Sequence, residues 1–374
     1  MTLAVESGDL IGYAGLVRRA GEDCDSALAY LDRCTPISFS LSQKAWDMAL
    51  GDHTERSREA RNVLTRFGTI LGASKTELKK TASWYRSVDL ERARALDATY
   101  PTGKHATAIP RVRPSGSLSF KDVHDAVDRL KPTGSSDGWL QGHADEFMFA
   151  PIHKTAGTLL DIGSPSALAN EGIKMAFGWD VLGTVCNWFS GDWQNYAACA
   201  DAWDCLGEFC AATADNIRHG NQVLGTSWRG NAADAAWKYF NKVAARLDSA
   251  HDAFHELRDR YASVTKMVFS FAELAKGVLA EICDKGTQAA IAAAASTAMA
   301  LTGVGFTGSF VGVALAVERV NSMVQAYHEL VKEYDHFMLG LNGLLGGVGL
   351  ATVALSDELR KFPVVGRSYD NKLV

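Results

Sequence analysis

Residues 206–247 read LGEFCAATADNIRHGNQVLGTSWRGNAADAAWKYFNKVAARL, and this stretch decides the fold. Before it and into it, apolar or small side chains recur at Tyr196, Cys199, Trp203, Leu206, Cys210, Thr213, Ile217 and Leu224. Spacings of three, four and seven put them on one face of a helix. Past the break the pattern restarts at Ala232, Ala236, Tyr239, Val243, Leu247, Ala250, Phe254, Leu257, Tyr261, Val264 and Val268. Between the two stripes stands Trp228-Arg229-Gly230, with Asn231 as candidate N-cap and Asp234 as an acid in the first turn. The reading is a helical hairpin over residues 192–273, its first helix opening near Asp192.

The same pattern appears nearer the amino terminus. Leu10, Tyr13, Val17, Ala20, Cys24, Ala27 and Leu31 form one stripe, and Trp46, Leu50, His53, Ala60, Leu64, Phe67, Leu71, Leu78 and Tyr85 form another. Thr35-Pro36-Ile37-Ser38 separates them as a turn. Residues 7–97 therefore read as a first hairpin. The fold class expected is all-α: two long hairpins, bundle-like, followed by an Ala/Gly-rich helical pair.

Between the hairpins, prolines at 101, 110, 114, 132, 151 and 165 forbid long helices. Short helices are expected at 120–130, with Ser119 as N-cap, and at 166–177 after Pro165. Beyond the second hairpin, residues 286–317 and 337–356 carry no charged side chain. Each is long enough to cross a bilayer. Both are rich in Ala, Gly, Ser and Thr rather than Leu, Ile and Phe, which favours tight soluble packing; insertion into lipid is the alternative. The division that results is 1–97 (first hairpin), 98–178 (connector), 179–275 (second hairpin) and 276–374 (extension).

Composition narrows the function. Among 374 residues, 47% are hydrophobic and 22% charged, the balance of a folded soluble protein. A net charge of −5 and no Lys/Arg block argue against a nucleic-acid partner. Seven cysteines, an odd number without a CxxC pair, exclude a complete disulfide framework. A Cys24–Cys34 bridge would need the chain to bend back between them. The first 23 residues hold acids and Arg18-Arg19 but no apolar segment, so no Sec signal peptide is expected.

The order long helix, Trp228-Arg229-Gly230, long helix resembles the WXG family of actinobacterial type VII (ESX) secretion substrates. Asn231-Ala232-Ala233-Asp234-Ala235-Ala236 opening the second helix, and Asp192-Trp193, Trp203 and Phe209 marking the first, carry that resemblance. The run from Pro165 and Trp188 past Ala290 to Ser368-Tyr369-Asp370 looks like the long members that extend the hairpin at its carboxyl side. The first hairpin is similar to the N-terminal type VII secretion target module, and Tyr85-Arg86-Ser87-Val88-Asp89 matches that family's Tyr-x-x-x-Asp export signal. Residues four apart share a helix face, so this motif would present a phenol and a carboxylate together. The plainer reading is that Tyr85 closes the hairpin core and Asp89 is solvated.

Each hairpin departs from the full family pattern. The first lacks Trp-x-Gly, and the second has Thr265 where the acid after Tyr261 would stand. The chain looks like both halves of a secreted pair fused, which leads us to expect the hairpins antiparallel, Trp228 near Tyr85, and a composite signal of Tyr85, Asp89, Trp228 and Gly230. The rival is that each hairpin binds its own partner. The resemblance implies recognition by the ESX machinery and its ATPase, a cytoplasmic protein before export, and a secreted or cell-surface one after it. A small WXG-type partner or self-association is compatible with it. A membrane-active role for residues 286–356 and a carrier role for another secreted protein are the alternatives.

Nothing in the sequence reads as catalysis, and neither a cofactor nor a metal is expected. His251 and His255 share a helix face, but His-Asp-Ala-Phe-His-Glu lacks the general base of His-Glu-x-x-His, and no third ligand lies at matching spacing. Gly303-x-Gly305-x-x-Gly308 follows an alanine-rich helical run, not a strand. Gly225-Thr226-Ser227-Trp228-Arg229 has Arg where a nucleophile elbow needs Gly. Asp259 and Glu256 read as solvated carboxylates. Trp84, Trp193, Trp203 and Trp237 read as core or rim. Trp228, at a hairpin tip, must either plug the bundle end or face a partner, and the resemblance points to recognition.

Overall fold

A computed structural model of the chain describes residues 4–37, 44–88, 92, 95, 98, 120–133, 167–189, 191–301, 306–347 and 350–364. In chain order the helices are α1 (Ser7–Cys34), α2 (Lys44–Ser87), α3 (Ala167–Phe177), α4 (Val181–Trp188), α5 (Trp193–Ser227), α6 (Asn231–Leu301), α7 (Phe306–Gly347) and α8 (Leu350–Lys361). The described residues contain no strand, so the architecture is all-α as the sequence predicts.

Helices α1 and α2 form one hairpin, and α5 with the first half of α6 forms the other, with α1 lying along α5. Tyr13 near the start of α1 donates its hydroxyl proton to Ile217 O near the end of α5 at 3.1 Å, so α1 and α5 run antiparallel. Gly220 permits that approach, because a Cβ there would overlap the Tyr13 ring. Across the bundle α2 meets α6 through long side chains, with Ser74 Oγ 3.2 Å from Tyr239 OH and His53 Nδ1 2.8 Å from Tyr261 OH. The stripes predicted from sequence are buried throughout, except that Leu50 and Tyr85 are half-covered.

Two expectations are corrected. Helix α6 runs unbroken through residue 275, where a domain boundary was expected. Val268, Ala272, Ala275, Leu279, Ile282 and Ala289 continue the buried stripe, and no breaker interrupts it. At about 1.5 Å per residue, 71 residues span about 107 Å, twice the length of α5. The projecting half is covered by α3, α4 and α7: Trp188 stacks on Tyr334 at 4.2 Å, and Phe271 on Phe337 at 4.7 Å. Helix α8 then returns to the bundle and lies on α2 and α6. Arg66 donates to Leu359 O at 3.0 Å and Phe362 O at 2.9 Å, capping its last carbonyls.

The second correction is the helix expected at 120–130. Only a 3₁₀ turn forms, Val127–Arg129, and Ser119 lies outside the described residues. Asn216 of α5 explains it: its Oδ1 accepts from the N–H groups of Val123 and His124 at 2.7 and 3.0 Å, while its Nδ2 donates to His124 O at 2.8 Å. Asp125 Oδ1 accepts from Val127 N–H at 3.1 Å. The backbone groups a helix would pair internally are spent elsewhere. Cys24 and Cys34 are both free and ride the same helix without the bend a bridge would need, ten residues or about 15 Å apart.

Of the C-terminal apolar segments, α7 buries Met323, Leu330, Leu341 and Leu345, and leaves Val311, Val313, Val317 and Leu339 exposed. One stretch among the described residues, within 311–361, is long and apolar enough to cross a membrane. Gly303 and Gly305 lie outside the described residues.

Candidate functional site: the Trp228 end of the bundle

The start of α1, the end of α2 and the α5–α6 turn meet at one end of the bundle. Helix α5 stops at Trp228, whose backbone is extended at φ −114° and ψ 120° and whose N–H donates to Leu224 O at 2.9 Å. Gly230 has φ +132°, a region that costs a side-chain-bearing residue about 1–2 kcal/mol. Its carbonyl accepts from Asp234 N–H at 3.0 Å, the first bond of α6. Gly230 therefore holds the cap position expected of Asn231, which is the first helical residue instead.

Trp228 is 1% exposed. Of the two roles open to it, it takes the plug and not the presented one: its indole fills the end of the bundle. Its Nε1–H donates to Tyr85 OH at 3.4 Å, and the two rings meet edge-to-face with centroids 6.3 Å apart. Trp84 packs edge-on against Tyr85 at 5.1 Å. Trp228 and Tyr85 stand 143 residues apart in sequence, so this pair exists only when the hairpins are docked. Asp89 lies outside the described residues. The void beside Trp228, lined by Asn221, Leu224, Ala233 and Trp237, is about 10 Å³, which is room for at most one water. This end is a packed junction, not a ligand pocket.

Sequence reasoning missed the clamp around the turn. Ala4 and Arg229 form an isolated antiparallel bridge, Arg229 N–H donating to Ala4 O at 2.8 Å and Ala4 N–H to Arg229 O at 3.3 Å. Backbone pairing of single residues leaves no side-chain signature. Arg86 Nε donates to Ser7 Oγ at 3.0 Å, tying the end of α2 to the start of α1. Within the second hairpin, Asn221 Nδ2 donates to Trp237 O at 3.1 Å. Arg229 itself is exposed between two buried neighbours.

Of the remaining candidates, His251 and His255 do share one face of α6, their rings 4.0 Å apart. The absence of a third group near them in sequence is overturned in space, because Glu208 of α5 lies against both. Trp193 and Trp203 are buried, and Trp84 and Trp237 are half-buried. Comparison with protein-family models, with curated proteins and with solved structures finds no match to this chain.

Proposed function

We propose that this protein is a non-catalytic substrate of a type VII (ESX) secretion system, recognised in the cytoplasm through Tyr85, Asp89, Trp228 and Gly230 and carried out to the cell surface or beyond. The observation that supports this most is the meeting of Trp228 and Tyr85, from separate hairpins, at one bundle end. A Trp-x-Gly turn and a Tyr-x-x-x-Asp segment are each weak signals alone. With Tyr85 and Trp228 brought together by docking, the two would make a feature that an unfolded chain does not present. The machinery's ATPase would then read a folded state, and the chain would carry both halves of a signal otherwise divided between two proteins.

The test is export. In a host with a working ESX system, Tyr85→Ala should leave the protein in the cell pellet while the wild type reaches the culture supernatant, at matched cellular levels. Unchanged export of Tyr85→Ala would overturn the composite signal.

A further inference from the structure

A cluster on the side of the second hairpin, away from the Trp228 end, has the makings of a metal site. His251 and His255 are one helical turn apart on α6, and Glu208 faces them from α5. Glu208 Oε1 lies 3.8 Å from His251 Nε2 and 3.7 Å from His255 Nε2, and the three ligand atoms all lie within 4.8 Å of one another. A tetrahedral zinc with bonds of about 2.0–2.2 Å holds its ligand atoms about 3.3–3.6 Å apart. Small side-chain rotations would close the difference.

Three further observations point to a cation rather than a plain polar contact. His255 Nε2 is buried and makes no hydrogen bond, although carboxylate oxygens stand nearby. His251 Nδ1 lies 3.0 Å from Asp252 Oδ1. A carboxylate only accepts, so Nδ1 carries a proton, and Nε2 is the ring nitrogen that faces Glu208. That carboxylate–imidazole pairing is the usual way a ligating histidine is oriented. Finally, α5 has Gly207 beside the ring, where a Cβ would come within 2.7 Å of His255 Cδ2.

Charge also favours a dication. Asp204, Glu208 and Asp252 surround the imidazoles, and Arg258, paired with Asp204 at 2.7 Å, is the one cation in this ion-pair group among the described residues.

We propose that Glu208, His251 and His255 bind one Zn²⁺ that staples α5 to α6, with the fourth position open to water. Two imidazoles and a carboxylate suit zinc among abundant divalent ions. Asp204, held by Arg258, stays outside the first sphere.

The experiment uses the full chain stripped with a chelator and titrated with Zn²⁺. One zinc per chain and a rise in melting temperature are expected. Loss of an outer partner alone weakens metal sites about 10–100-fold, so Glu208→Gln and His251→Ala should each weaken binding at least about 100-fold while helical circular dichroism is retained. Cobalt substitution adds a spectroscopic check: visible d–d bands without intense near-ultraviolet thiolate bands are expected. No binding, binding unchanged in both variants, or thiolate bands that assign the metal to cysteines would overturn the proposal. Because export is read separately, its outcome and that of the zinc titration are independent.

Discussion

The two ends of the bundle close in different ways. At the end formed by the α1–α2 turn, His53 is 5% exposed and fully used. Its Nε2 lies 2.9 Å from Thr35 O, an acceptor, so Nε2 carries the proton and Nδ1 accepts from Tyr261 O–H at 2.8 Å. Tyr261 stacks on Tyr196 at 4.4 Å, and Trp46 meets Trp193 edge-to-face at 5.0 Å. At the other end, Trp228 is as deeply buried, but its one indole N–H reaches Tyr85 at 3.4 Å, and the turn is clamped by a single backbone bridge. One end is held by the short Thr35–His53–Tyr261 hydrogen-bond chain between helices, beside rings whose Trp46 and Trp193 N–H groups find no acceptor. The other is held by ring packing, a two-bond clamp at Ala4 and the exposed Arg86–Ser7 bond, parts that separate without stranding many buried polar groups.

The comparison breaks most visibly if the Trp228 end is emptied. Trp228→Ala removes a fully enclosed indole and leaves a void that α5, α6 and α2 cannot all close around. Core Trp→Ala changes cost about 3–5 kcal/mol. The urea midpoint should fall accordingly, with the all-helical circular dichroism of the folded state kept below it. A loss under about 1 kcal/mol would show that this end is already open in solution, and that ring packing does not hold it.

The opposite end should answer to acid instead. Burial pushes the His53 pKa down to about 4, against the bond to Thr35 O, which raises it; an unfolded histidine titrates near 6.5. The folded state thus binds fewer protons than the unfolded one between these values. Stability is fully present above about pH 6.5 and drains as pH falls toward 4, by about 3 kcal/mol in all. Asp23, half-buried beside Asp122 and Asp125, is pushed up to about 6 and works in the other direction, but water screens it. Denaturation series between pH 7 and 4 should show the net loss, and His53→Gln should flatten it. An equally steep loss in His53→Gln would place the acid sensitivity elsewhere.

Why these ends were not equally legible follows from what each is made of. The stripes that build the bundle repeat every three or four residues, so Tyr13, Trp203 or Leu247 could be assigned to the core from spacing alone. The meeting of Trp228 and Tyr85 was also readable, because each hairpin lacks what the other has and antiparallel docking brings the two together. That His53 would bond Tyr261, or Asn216 would unwind residues 120–130, was not. Single side chains satisfying distant backbone groups produce no periodicity. Glu208 escaped for the same reason, since its 43-residue separation from His251 collapses only when α5 folds back on α6. The boundary expected at 275 falls inside one helix, whose buried stripe runs on to Ala289. Gly172 of α3 crosses Gly286 of α6 closely, with no room for a Cβ at Gly172 and a tight fit for one at Gly286.

The smallest effect separates ring from hydroxyl at the Trp228 end. Tyr85→Phe keeps the edge-to-face contact with Trp228, of a kind worth about 0.5–1.5 kcal/mol beyond burial, and deletes the acceptor of a 3.4 Å bond. A bond that long sits at the edge of useful geometry, so the stability cost should be about 0.5 kcal/mol, near the floor for a net hydrogen bond. A loss above about 1.5 kcal/mol would mean that the hydroxyl holds this end much as His53 holds the other, erasing the contrast between them. Since Tyr85→Phe leaves the junction folded, its export compared with that of Tyr85→Ala also separates two ways of failing. Export lost only with Ala makes the intact junction the thing recognised, whereas export lost with Phe as well makes the phenol itself the contact.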